Sequence, residues 1–259
     1  SAVTSSSTGR PGGSSCHSAS RWLHALASSV SSQRSTRGRY STHGALRDAA
    51  RRLEAAGWVV EAARRNPALE LIIVRPQAPD EVAFEGQGKH PAHRHGEWLQ
   101  ARALGKLRQR LRSRVGLFAL GRKAPLTAQE EDLVADGGAA FRAGMIYVHS
   151  KLLIADDSHA LVSSANINGR SFGWDSEFGI HWEDAAGVAA FRRRLWGQLL
   201  ELSPDDVPPL DEALGHWRRV AEANVQLRPE DRQGFILPYR YARVRRRGRP
   251  AWFVPDDLV

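Results

Sequence analysis

Apolar residues recur at helical spacing across residues 43–65, at Leu46, Ala49, Ala50, Leu53 and Ala56, with Gly57 interrupting the row and Asn66-Pro67 ending it. Leu69 to Val74 is a mostly apolar run of the buried-strand type, so the two elements read as half of a βαβ unit. Gly and Pro crowd residues 76–96, which predicts a loop. Leu99, Leu104, Leu107 and Leu111 predict a basic amphipathic helix over 97–115. Residues 120–139 read as polar and loop-like, with a short helix at 128–134. Met145 to Ile154 is rich in β-formers and free of Pro and Gly, which predicts one strand. Asp157-Ser158 reads as a turn, and His159 to Ser164 as a strand returning beside the first. Asn168-Gly169 marks the next turn. A strand at 178–182, a helix at 186–202, a Pro and Asp linker at 203–209, a helix at 210–225 and an irregular tail at 234–259 complete the chain.

The chemistry concentrates in residues 149–177. His149, Lys151, Asp156, Ser163, Ser164, Asn166, Asp175 and Glu177 supply an imidazole, a fixed cation, acids and small polar donors within thirty residues. On a strand, His149 and Lys151 would share a face about 7 Å apart, close enough for one phosphoryl group to touch both. The hairpin would carry Ser164 and Asn166 to the end of the sheet that holds His149. Such an inventory suits attack on a phosphate diester and stabilisation of the charge that develops.

His149-Ser150-Lys151, Asp156 and the run Ser163-Ser164-Ala165-Asn166 resemble the H-x-K-x4-D-x6-G-S-x-N signature of the phospholipase D superfamily, with Ser163 where Gly is usual. The run Ala68 to Pro76 is similar to a strand of that family. Trp98 to Leu111 is similar to the helix that follows it, and Phe191 to Trp196 to the closing helix of bacterial members. The resemblance covers roughly residues 40–259 and implies an α/β fold: a phospholipase D-like α/β/α sandwich with a mixed sheet, one lobe of a usual two. It implies two-step phosphodiester exchange through a phosphohistidine, without metal or other cofactor. His149, Lys151, Asp156 and Glu177 would form the catalytic set, with Asp156 an orienting acid and Glu177 the carboxylate that hydrogen-bonds a motif histidine. Ser164 and Asn166 would join Lys151 in binding phosphate. The expected substrate is a phospholipid phosphodiester.

That chemistry needs two histidines, and this chain has one H-x-K. The second could come from a homodimer partner or from an N-terminal half absent here, or the chain could be an inactive remnant. Two other functions stay open: a dimeric single-motif nuclease, and a noncatalytic module that binds phosphate or an anionic membrane.

Composition adds bounds. The 259 residues carry a formal charge of +9, mostly from Arg, which favours phosphate-bearing partners without choosing among them. No stretch of 18 apolar residues occurs, so no transmembrane helix is expected, and the compartment is open. A lone Cys16 excludes an internal disulfide. The first residue is Ser, which is compatible with a removed leader or an upstream half. Residues 1–40, dominated by Ser, are expected to be disordered, with at most a turn or two of helix at 21–30. Residues 41–202 form the expected catalytic domain, and 203–259 a C-terminal helix and basic tail packed on it or extending it. His90, His93 and His95 lie in the predicted loop and read as solvated rather than metal-binding. The tail's arginines beside Trp252 and Phe253 have the make-up of an interfacial anchor or of a solvated terminus.

Overall fold

A computed structural model describes residues 2–7, 56–57, 59–78, 90–128, 141–168, 171 and 175–256. The expected helix at 21–30, residues 129–134 of the short helix expected at 128–134, and residues 43–55 of the first amphipathic row lie outside the described residues, as does Cys16. The strands are β1 Ala2–Ser7, β2 Leu69–Val74, β3 Val115–Pro125, β4 Ala143–Ile146, β5 Lys151–Ala155, β6 His159–Ser163, β7 Gly179–Glu183 and β8 Ile236–Pro238. The labelled helices are α1 Pro91–Leu111, α2 Ala185–Leu200, α3 Leu210–Gln226 and α4 Tyr241–Arg247.

Hydrogen bonding follows the path β4-β3-β2-β1-β5-β6-β7, with β8 also on β3. The β2–β3 and β1–β5 pairs are parallel and the others antiparallel, so the sheet is mixed and the fold is α/β. Side chains of β2 alternate between two cores, as strand pleating requires. Ile72 and Val74 join Phe118, Trp196, Leu214 and Trp217 beneath α2 and α3. Leu71 and Ile73 join Leu104, Leu107, Leu111 and Val244 beneath α1 and α4. Trp217 anchors the first core, with ring centroids 5.3 Å from both Phe118 and Trp196.

Several sequence expectations need correction. The predicted strand over Met145 to Ile154 is two strands, β4 and β5, with residues 147–150 crossing between them. The register explains the break. Phe118 pairs with both Val74 and Pro238, and Leu120 with both Ile146 and Ile236. Because β8 holds one edge of β3, β2 and β4 follow each other along the opposite edge. The chain leaving Ile146 therefore has to pass only the end of β1 to enter β5, about 10 Å away.

β3 itself lies where the end of a helix and then a polar loop were expected. Its side chains are buried on both faces, so the alternation that signals a half-exposed strand is missing. It also carries two glycines at close approaches. A Cβ on Gly116 would lie 2.6 Å from Leu214 Cδ1, and one on Gly121 would lie 2.5 Å from Leu237 Cδ1. The expected disorder of residues 1–40 does not hold for Ala2–Ser7, which pairs with β2 and β5. The neighbouring strands, rather than the Ser-rich composition, supply its backbone partners. The tail is ordered as well: β8 pairs with β3, and α4 buries Val244 completely. Residues 91–96 are helical, not loop. His95 is buried, accepting from Ala251 N–H at 3.1 Å and meeting Asp256 at 2.5 Å, while His90 caps α1.

Candidate functional site

The end of the sheet where β2 finishes and β5 begins gathers the candidate residues. Ala2 pairs with both Val74 and Leu152 at this level, Lys151 with Ser163, and Ser163 with Gly179. The start of β5, the end of β6 and the start of β7 therefore meet here. His149, in the crossing segment, is exposed, and Lys151 is half-buried. Lys151 Nζ lies 3.2 Å from His149 Nε2, so the ammonium donates to an unprotonated ring nitrogen. Burial pushes the Lys151 ammonium below the usual lysine range, and the Glu177 carboxylate acts in the opposite direction.

Ser164 occupies the end of β6. Its hydroxyl donates to Glu177 Oε2 and accepts from the Phe178 N–H at 3.0 Å, while its own N–H donates to the Phe178 carbonyl at 2.9 Å. Glu177 thus holds Ser164 rather than His149. Asn166 is exposed, and its backbone is fixed from both sides. Its N–H donates to Ser171 Oγ at 3.0 Å, and its carbonyl accepts from the Asn168 N–H at 2.9 Å. Among the described residues no partner holds the side-chain amide of Asn166, which leaves it available to a ligand.

Ser163, the departure from the family pattern, is accommodated without strain. It is not among the residues with positive φ, so glycine's freedom is not needed here. Its hydroxyl instead donates to the Phe178 carbonyl at 3.2 Å and accepts from the Ala165 N–H at 2.9 Å.

His149, Lys151, Ser164, Asn166 and Glu177 are brought to one end of the sheet, and Asp156 is not. It sits in the β5–β6 turn with φ 51°, at the opposite end of β5, about 17 Å along the strand from Lys151. Its neighbour Asp157 pairs with buried Arg192 of α2 at 2.5 and 2.8 Å, so this turn is a structural anchor. Sequence reasoning missed the Phe178 backbone and Ser171, which set Ser164 and Asn166; neither carries a motif of its own.

No family model matches the chain. A protein named phospholipase D from Phytophthora infestans is 38% identical over 93 residues, 29% of this chain and 5% of that protein. Phospholipase D alpha 2 of Brassica oleracea is 45% identical over 92 residues, 30% of this chain and 11% of that protein. Phospholipase D alpha 2 of Oryza sativa is 41% identical over 109 residues, covering 36% and 13% respectively. Over about a third of its length, the chain is similar to phospholipases D. It spans about a tenth of the length of these curated relatives. They come from an oomycete and from plants, so the likeness to bacterial members rests on the sequence of the 97–115 helix and of the Phe191 to Trp196 run.

Proposed function

We propose that this chain supplies one half of a phosphodiesterase site that hydrolyses or transfers a phospholipid phosphodiester through a phosphohistidine. The observation that carries the reading is the exposed His149 with the Lys151 ammonium 3.2 Å from its Nε2, beside Ser164 and the available Asn166 amide. An approaching phosphate would take over the Lys151 N–H at a nonbridging oxygen and meet the freed Nε2 lone pair. The Asn166 amide would hold the same oxygens as negative charge builds on them, and the Ser164 hydroxyl would join it by turning its proton from Glu177 to the phosphate. If His149 is the nucleophile, its Nε2–P bond forms while the P–O bond to the leaving alcohol breaks, and a second imidazole gives that alcohol a proton. Water or another alcohol then attacks phosphorus, the N–P bond breaks, and the second imidazole takes the proton back. The roles of the two imidazoles can be exchanged without changing what this half contributes.

The second histidine comes from another copy of the chain or from a further part of the polypeptide. Glu177, whose carboxylate accepts from Ser164, would support that incoming imidazole. The names of the relatives favour a lipid over a nucleic acid. So does the position of Trp252 and Phe253, 94% and 59% exposed. Their segment is tied to His95 in the second turn of α1, which begins at the same end of the sheet as His149. Aromatic side chains there, near the arginines of α4, suit the headgroup boundary of an anionic bilayer. Among the described residues no helix is long and apolar enough to cross a membrane.

Turnover of phosphatidylcholine vesicles, read as choline release alongside light scattering, tests the proposal. Activity that tracks a dimer or an added N-terminal half supports it. Full activity in a strict monomer of this chain contradicts the two-histidine scheme, and metal-independent cleavage of single-stranded DNA without lipid turnover favours a nuclease.

A further inference from the structure

At the other end of β6 and β7, a second cluster lies outside the proposed reaction. His159 opens β6 and pairs in register with Glu183, which closes β7, and His181 stands two residues before Glu183 on the same face. The alternate positions Ala160 and Trp182 pack with Val188 under α2, so the cluster occupies the face turned away from that helix. One donor atom from each of His159, His181 and Glu183 lies within 4.8 Å of the others. Glu183 Oε1 is 3.5 Å from His159 Nδ1 and 3.9 Å from His181 Nε2. The imidazoles stack with centroids 5.7 Å apart and planes 11° from parallel.

Burial turns this geometry into a question. The His159 residue is only 4% exposed, yet among the described residues neither of its ring nitrogens makes a hydrogen bond. A neutral imidazole normally finds a partner for both nitrogens when buried, because leaving them unsatisfied costs free energy. The nearest carboxylate oxygen, at 3.5 Å, is too far for a good bond. It is close to the separation that two ligands of one metal ion adopt. Zinc bonds of about 2.1 Å in a tetrahedral site hold donors roughly 3.4 Å apart. The set would need to contract by little more than about 1 Å.

We propose that His159, His181 and Glu183 form a binding site for a divalent transition-metal ion, with zinc the best match. Two imidazole nitrogens and one carboxylate oxygen are borderline ligands that suit this class over magnesium or calcium. Glu183, about half exposed on its side chain, leaves the fourth position open to water. The ion would clamp the start of β6 to the end of β7. β7 has no strand beyond it in the described sheet, and its other end carries Glu177 and Phe178 towards the candidate site. The role is structural, at the far end of the strands from His149.

The test is calorimetric titration of the chelator-treated full chain with zinc chloride, paired with melting temperatures with and without the metal and the absorption spectrum of the cobalt-loaded protein. One zinc should bind per chain with micromolar or tighter affinity, raise the melting temperature and give a tetrahedral cobalt spectrum. Glu183→Gln and His181→Asn should each weaken binding by at least about tenfold while melting like wild type without metal. A variant replacing both His90 and His93 with Asn should bind as wild type does. Because His159 is buried and its variants could fail to fold, the two more accessible ligands carry the test. No binding to wild type, or wild-type affinity in either Glu183→Gln or His181→Asn, overturns the proposal.

Discussion

Lys151 Nζ stands 3.2 Å from Nε2 of His149, and the imidazole it faces is exposed at the end of the sheet. The contact orients one ring nitrogen as an acceptor and places a cation where phosphate oxygens would arrive. His149→Asn keeps a polar side chain at this exposed position, so the melting temperature should change little. Turnover should fall by about three orders of magnitude. Steady-state rates on a chromogenic phosphodiester check this, and wild-type rates would remove His149 from the chemistry.

Lys151 sets the alkaline limit. Burial lowers its proton affinity below the ordinary value of 10.5, so the cation is lost at a lower pH than a free lysine would lose it. Phosphate binding should therefore weaken as pH rises through that lowered value. Lys151→Arg should remove this limb, because a guanidinium stays charged, and Glu177→Gln should move it lower still. The stability effect has the opposite sign. Below the lowered value the buried charge costs stability, and the cost is relieved as pH rises, because there the unfolded chain holds the proton that the folded chain has released. A phosphate-affinity profile against pH for the three proteins is the measurement. Superimposable profiles would contradict it.

Ser163→Gly, which restores the residue usual in the resembled family, should destabilise the chain by about 1 kcal/mol. It removes the hydroxyl bonds to the Phe178 carbonyl and the Ala165 N–H and adds backbone entropy to the unfolded state. Urea unfolding measures the loss. A gain in stability would mean that the serine is strained after all.

Asp157→Asn should cost about 3–5 kcal/mol, since it strips the carboxylate from Arg192, which is 2% exposed. Adding Arg192→Leu to that variant should recover part of the loss, because no unpaired buried charge remains. Additive losses in the double variant would show that the two residues act independently.

Much of this arrangement was legible in the residues. Leu69 to Val74 read as a strand because its buried apolar run ends in turn signals, and it is β2. The β5–β6 hairpin followed from Asp157-Ser158 between apolar runs, and its register delivers Ser164 and Asn166 to the end that holds His149. Asp156 need not have been grouped with them, since the five residues of β5 between Ser150 and Asp156 already separate it from Lys151 on an extended strand. β1 was illegible because AVTSSS has no core-forming pattern and takes its backbone partners from strands distant in sequence. β3 was illegible because its glycines answer to Leu214 and Leu237, contacts that only tertiary packing creates. The break at residues 147–150 depends on which edge of β3 receives β4, and local propensity carries no information about that.

The most direct test is a titration of the full chain with inorganic phosphate, followed through the NMR signals of the histidine imidazoles. The His149 resonances should move in a saturable way, Lys151→Ala should weaken the response at least tenfold, and the His159 and His181 signals should stay in place. If phosphate leaves His149 undisturbed, or shifts it equally without Lys151, the imidazole and the ammonium do not form a phosphate site and the catalytic reading fails.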